Sequence, residues 1–254
     1  MEYIAILAFL LGLPFTYTQL EVKKIENKYP PLGYFKNIDG YNIHYTDIGS
    51  GQPVVLLHSQ PANERQFDLL KNKLKENYRV ISIDRPGMGY SEGPKINSSE
   101  RLFLQAEIIS KLLDEIIDEK PIVVGHSYGG ALALSLALYE EKNIKKLILV
   151  NTVSHPWKGD GVWLPFKIIT NPLIGKIFSQ TYAMIYGKSV IDRSADDNFP
   201  DNKTTPGFVN RVGAELTLRP ASLESYALDA INLKSSLSKQ YKKYKNLSIP
   251  VTIL

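Results

Sequence analysis

Six residues, Gly125-His126-Ser127-Tyr128-Gly129-Gly130, stand between an apolar run from Pro121 to Val124 and a segment, Ala131 to Leu138, that is apolar nearly all round. A short apolar run that passes at once into such a segment predicts a buried strand feeding a buried helix. Gly125 and Gly129 fall where a side chain would collide with the neighbouring strand and helix. The spacing G-x-S-x-G in that setting is a nucleophile elbow, a tight turn that holds a serine hydroxyl above a sheet in a strained conformation. Ser127 is therefore the candidate nucleophile, and the predicted strand–turn–helix context is what gives the motif its weight.

The chain around it alternates strand-like and helix-like segments, which predicts an α/β protein. Tyr34 to Ile38 and Tyr41 to Asp47, joined across Asp39-Gly40, read as a hairpin. Pro53 to Leu57, Tyr78 to Ile83 and Lys146 to Val150 read as strands, and Glu64 to Lys75 has helical spacing. Ser98 or Ser99 can cap a helix with Leu102, Ala106, Ile109, Leu113 and Ile116 on one face. From Asn151 to about Ser238 the alternation lapses in a stretch holding Trp157, Trp163, Phe166, Phe178 and Tyr186. So long an excursion before the strand-like Val251 to Leu254 predicts an inserted helical subdomain over about 152–238. The expected division is a hydrophobic segment and connector over 1–28 and one domain over 29–254.

Composition narrows the chemistry. None of the 254 residues is Cys, so a disulfide framework, a thiolate nucleophile and a Cys-based metal site are excluded. The net charge is +4, carried by 23 Lys against seven Arg. A shortage of the residue best suited to bidentate phosphate and guanine contacts argues against a nucleic-acid partner. Lys239 to Lys245, with Tyr241 and Tyr244 interleaved, reads as the solvated end of a helix. A Rossmann-type dinucleotide site fares poorly, since no G-x-G-x-x-G follows the first strand and the elbow lacks the Lys-Ser/Thr of a P-loop. No metal or organic cofactor is implied.

No charge occurs from Tyr3 to Leu20, and Ile4 to Leu13 is apolar apart from Gly12. A secretory signal would need a basic start and a small-residue cleavage site, which are missing. A helix packed on its own domain is one reading. The residues favour a single membrane anchor over 3–20, at the lower limit of length, with Lys23, Lys24 and Lys28 placing the body in the cytoplasm. The alternative is a soluble cytoplasmic protein. Glu21 to Tyr29 is expected to be a polar connector.

Two further stretches agree with the elbow: Val54-Val-Leu-Leu-His-Ser-Gln-Pro61 and Asp84-Arg-Pro-Gly-Met-Gly-Tyr-Ser91. In the order and spacing of these motifs the chain resembles the α/β-hydrolase fold superfamily, in particular serine hydrolases with an N-terminal hydrophobic segment. Members often show a His-Gly loop after the third strand, an Asp-x-x-Gly-x-Gly-x-Ser loop after the fourth and the elbow after the fifth. The likeness runs from Tyr29-Pro30-Pro31 to Ile249-Pro250-Val251. It implies a mostly parallel sheet with an inserted helical cap. It also implies a serine hydrolase of the carboxylester type, acting on a small, apolar acyl substrate, with Ser127 as nucleophile and the backbone N–H groups of Gln60 and Tyr128 as oxyanion hole. Ser59 departs from the usual glycine after His58, and would strain or shift the Gln60 donor unless it is accommodated.

An activated serine needs a histidine base, itself oriented by a carboxylate. In the superfamily both follow the serine, yet the four histidines are His44, His58, His126 and His155. His155 alone lies beyond the elbow and is a remote candidate for the base, since the usual one comes from the loop after the final strand. The acid commonly follows the strand that begins Ile-Pro-Val, and Val150 to Val153 offers no carboxylate instead. The expectation is of a chain stopping before its own Asp and His, with the last strand and helix absent and Ser127 inactive as a result. The competing expectation is a non-catalytic binding or interaction protein built on the same fold.

Overall fold

A computed structural model describes residues 2–140, 143–159, 161–197 and 204–254. Seven strands form one sheet: β1 (Tyr34–Ile38), β2 (Tyr41–Ile48), β3 (Pro53–Leu57), β4 (Arg79–Ile83), β5 (Ile122–His126), β6 (Lys146–Val150) and β7 (Val251–Ile253). Their order is β1-β2-β4-β3-β5-β6-β7. The hairpin β1–β2 and the pair β2–β4 are antiparallel, and every other pairing is parallel. Parallel neighbours require crossovers, and helices α2 (Asp68–Leu74), α3 (Arg101–Ile116) and α4 (Tyr128–Glu140) supply them. β3, all of whose residues are buried, lies at the middle of the sheet, and β5 stands beside it. The carboxyl end of β5 therefore opens where helices cover both faces.

The core follows the sequence periodicity. Leu102, Ala106, Ile109 and Leu113 of α3 are buried with Ile81, Ile83 and Leu132, while Asp114 and Glu115 face solvent. Two details differ from the sequence reading. Glu64 to Lys75 divides into a 3-10 turn over Glu64–Phe67 and then α2. Ser98 does not cap α3 directly, because the cap position belongs to Glu100, whose N–H is bonded by Ser98 Oγ at 3.2 Å.

Between β6 and β7 come α5 (Leu164–Ile169), α6 (Gly175–Gln180), α7 (Tyr182–Asp196), α8 (Phe208–Arg211) and the long α9 (Pro220–Gln240). α9 is tied to the sheet domain by buried charge. Asp229 Oδ1 accepts from Arg101 Nε at 2.6 Å and from Gln105 Nε2 at 2.7 Å, and its Oδ2 accepts from Arg85 Nη1 at 3.1 Å. The Lys239 to Lys245 stretch is the end of α9 and a following 3-10 turn, with Lys239 paired to Glu100.

The N-terminal reading is corrected. Residues Glu2–Lys28 form one helix, α1, which continues through the segment taken for a connector. The reason lies in a stripe at Thr18, Val22, Ile25 and Tyr29, of which Thr18, Ile25 and Tyr29 are buried; Ile25 and Tyr29 pack with Met184, Leu216 and Leu218. Polar side chains fix α1 along the inserted helices: Thr18 Oγ1 donates to Thr181 O at 2.9 Å, Lys188 pairs with Glu21, and Arg219 pairs with Glu26 at 2.9 Å. The expected membrane-crossing anchor over 3–20 is not found. Among the described residues no helix is long and apolar enough to cross a membrane, and Thr16, Thr18 and Gln19 dilute the second half of the uncharged run.

Close packing at the elbow sets a strict test. A Cβ on Gly129 would lie 2.1 Å from Leu57 O and 2.6 Å from His58 O, both backbone atoms that cannot move independently. Gly129→Ala is expected to destabilise the protein by at least about 2–3 kcal/mol in urea denaturation. A loss below about 0.5 kcal/mol would show that the turn is not packed as described.

Candidate active site

Ser127 is the single residue between β5 and α4, and its φ of +52° is the strained conformation of a nucleophile elbow. The turn is held by backbone bonds. Ser127 N donates to Val150 O at 3.0 Å, while Ser127 O accepts from Gly130 N at 3.0 Å and Ala131 N at 3.3 Å. A Cβ on Gly125 would sit 2.4 Å from Gly129 O, so strand and helix approach as closely as glycine permits. Ser127 itself is half-buried, neither sealed in the core nor fully in solvent.

The loop after β3 lies against the first turn of α4, through the contact of Gly129 with Leu57 and His58. The N–H groups of Gln60, on this loop, and of Tyr128, on α4, have no acceptor among the described residues. Tyr128 is the first residue of α4, where N–H groups lack an intrahelical acceptor, so its N–H is free to meet a ligand next to Ser127. The Gln60 side chain is anchored separately, with Nε2 donating to Tyr226 O of α9 at 2.9 Å.

Ser59 is accommodated. Its backbone is not in the left-handed region, and its N–H and Oγ both donate to Gln66 Oε1 at 2.9 Å. The Nε2 of Gln66 reaches Nδ1 of His126. Burial pushes the His126 pKa down, so the ring is neutral and Nδ1 can accept. Gln66 thus bridges the loop after β3 and the elbow, a role that no sequence signal announced. Arg85 was likewise unforeseen: its Nε donates to His58 O at 3.0 Å, its Nη2 to Ser59 O at 3.3 Å, and its guanidinium stacks on the Tyr128 ring at 4.2 Å. Asp229 could have been suspected from its place on the inward stripe of α9, with Ser222, Ser225, Asn232 and Ser236.

No imidazole reaches Ser127. His44 Nδ1 pairs with Asp84 at 2.7 Å and its Nε2 bonds Leu32 O at 2.9 Å. Burial lowers the His44 pKa, but the Asp84 carboxylate outweighs it and the net direction is up. Burial likewise raises the pKa of Asp84, yet His44 and the surrounding donors hold it below the usual carboxylate range. His58 donates from Nδ1 to Ser59 O at 2.8 Å and accepts at Nε2 from Arg85 N at 2.9 Å, so it braces the loop. His155 is exposed, bonded through Nδ1 to Ser154 Oγ at 2.9 Å and packed on Tyr241 and Tyr244 with ring centroids 5.5 and 5.8 Å away. Among the described residues there is no cluster of His, Cys, Asp or Glu able to hold a metal ion.

Comparison with known proteins agrees with the fold. Residues 52–166 match the family model described as alpha/beta hydrolase fold. A soluble epoxide hydrolase from Corynebacterium sp. is 30% identical over 53% of this chain and 46% of its own length. A 2-hydroxy-6-oxononadienedioate/2-hydroxy-6-oxononatrienedioate hydrolase from Comamonas testosteroni is 28% identical over 61% of this chain and 58% of its own. The matches thus span about half the length of these curated relatives. The solved structure of an esterase from Exiguobacterium antarcticum superposes with a TM-score of 0.61 at 26% identity, covering 87% of this chain and 80% of that one.

The buried neutral state of His58 has a consequence for acid stability. Burial, then the neighbouring Arg85 charge, lowers its pKa from 6.5 to about 3. As pH falls below 6.5 the unfolded chain takes up this proton first, so stability is lost progressively until about pH 3. His58→Gln, which cannot titrate, is expected to flatten the fall in unfolding free energy below pH 6.5 by roughly 1.4 kcal/mol per pH unit in urea denaturation. An unchanged slope would mean that His58 is not held neutral.

Proposed function

We propose that this chain, which has the alpha/beta hydrolase fold, carries a site built for nucleophilic acyl transfer from an ester or related substrate to Ser127. The observation that carries the reading is the strained Ser127, at φ +52°, in the turn between β5 and α4 and directly before the unpaired N–H of Tyr128. In this reading a base from outside the four imidazoles, such as added imidazole, takes the Ser127 hydroxyl proton as Oγ attacks the substrate carbonyl carbon. The carbonyl oxygen takes up the negative charge, and the protonated base returns the proton to the departing alcohol. Collapse of the tetrahedral intermediate expels the alcohol and leaves an acyl ester on Ser127. Water then attacks that ester and releases the acid. The serine favours acyl chemistry over the displacement expected of an aspartate nucleophile.

The substrate side is read as apolar. An aromatic cluster joins Trp163 to Phe166 at 5.2 Å and Phe166 to Tyr226 at 4.6 Å between ring centroids. Tyr226 is also the residue whose carbonyl holds the Gln60 side chain, so the cluster adjoins the oxyanion loop and suits the apolar part of an acyl group.

A second reading is supported by the four imidazoles, each engaged elsewhere: the chain binds a small molecule without turning it over. Rescue by free imidazole separates the two. Ser127 in the 254-residue chain is expected to react slowly with a fluorophosphonate probe, and added imidazole is expected to accelerate labelling at least about tenfold by supplying the missing base. The rate should follow the neutral fraction of imidazole and vanish in Ser127→Ala. Labelling that imidazole leaves unchanged, or that survives Ser127→Ala, favours the binding protein.

A further inference from the structure

Helix α1 is fixed lengthwise along the inserted helices, yet much of its apolar surface stays in water. Tyr182 OH donates to Leu10 O at 2.8 Å and Gln19 Nε2 to Gln180 Oε1 at 3.1 Å, in addition to the Thr18 bond. These contacts set the helix flat against α6 and α7 and forbid it from standing upright across a bilayer. Phe9, Leu13 and Leu20, at i, i+4 and i+11, share the outer face and are exposed. Between α1 and α6 runs a groove of about 540 Å³, with Phe15 on one wall and Leu173 and Ile177 on the other. Leu173 is 83% exposed and Ile174 52%. Apolar surface exposed to this extent marks an interaction site.

Its charge pattern identifies the partner. No Asp or Glu occurs from Tyr3 to Leu20 or from Gly161 to Ile191, the two stretches that meet at this face. The cations that accompany it are Lys176, which lines the groove, and Lys167 on α5, which packs on α6. Both are exposed, and neither has an ion-pair partner among the described residues. The neighbouring carboxylates are engaged, Glu21 by Lys24 and Lys188 and Glu224 by Ser179 Oγ, so the unpaired charges at this face are the two lysines. Apolar side chains with unpaired positive charge match the interface of an anionic bilayer, in which an in-plane helix buries one face while lysines meet the headgroups. A protein partner would need acidic residues arranged against two isolated lysines, whereas a lipid surface supplies diffuse negative charge.

We propose that the joint face of α1 and the α5–α6 helices docks, without insertion across the bilayer, on a membrane surface containing anionic lipid. The geometry lays the inserted helices next to the lipid.

Co-sedimentation of the full chain with vesicles tests this. Phosphatidylcholine vesicles carrying about 30% phosphatidylglycerol are expected to bind at least about tenfold more protein than pure phosphatidylcholine, and salt should weaken the binding. Leu13→Glu and Ile177→Glu, both at exposed positions, are expected to lower binding at least about tenfold with the circular dichroism spectrum unchanged. Lys167→Glu with Lys176→Glu should abolish the preference for anionic lipid. No sedimentation with either vesicle overturns the proposal, as does equal binding to both. Lipid-free self-association that Leu13→Glu abolishes would assign the face to a second copy of the chain and overturn it too.

Discussion

One buried carboxylate, Asp229, faces two buried guanidinium groups, and the site depends on how it is shared. A charge taken out of water is tolerated only when it is paired and its remaining lone pairs are bonded. Asp229 meets that condition through Arg85, Arg101 and Gln105, which lie on the loop after β4 and on α3. Removing the carboxylate would leave two guanidinium groups unpaired in the interior, at a cost of about 3–5 kcal/mol. The same Arg85 holds the carbonyls of His58 and Ser59. Docking of α9 and placement of the loop from His58 to Gln60 are thereby parts of one network, reinforced by the Gln60 side-chain bond to Tyr226.

From this follows a division of labour around Ser127. The sheet and α4 set the serine, because glycine contacts with backbone atoms leave the turn one conformation. The loop that carries Gln60 is held from outside its strand, by Arg85 on the His58 and Ser59 carbonyls and by Tyr226 of α9 on the Gln60 side chain. Gln66 closes the circuit by spanning Ser59 and His126. Two neutral histidines serve this scaffold, and both must stay unprotonated to accept their bonds: His126 accepts from Gln66, and His58 accepts from Arg85.

The sheet was legible in the sequence because its signal is local. Pro53 to Leu57 and Lys146 to Val150 are short apolar runs bounded by turn residues, and each became a strand with those limits. The elbow was legible for a related reason: steric exclusion writes glycine at fixed spacing. What escaped was non-local. Whether Arg85 is buried depends on Asp229, 144 residues away, and no window of sequence contains both. The first 28 residues misled because an uncharged run looks alike whether it meets lipid or protein, and only Thr18, Ile25 and Tyr29 against the inserted helices decide the case.

The claim that one carboxylate couples the inserted helices to the oxyanion loop is tested most directly by hydrogen–deuterium exchange on Asp229→Asn. Peptides covering α9 and peptides covering the loop from His58 to Phe67 are expected to lose protection together, while β5 and β6 keep theirs. Loss confined to α9, with the loop as protected as in the parent chain, would contradict the account.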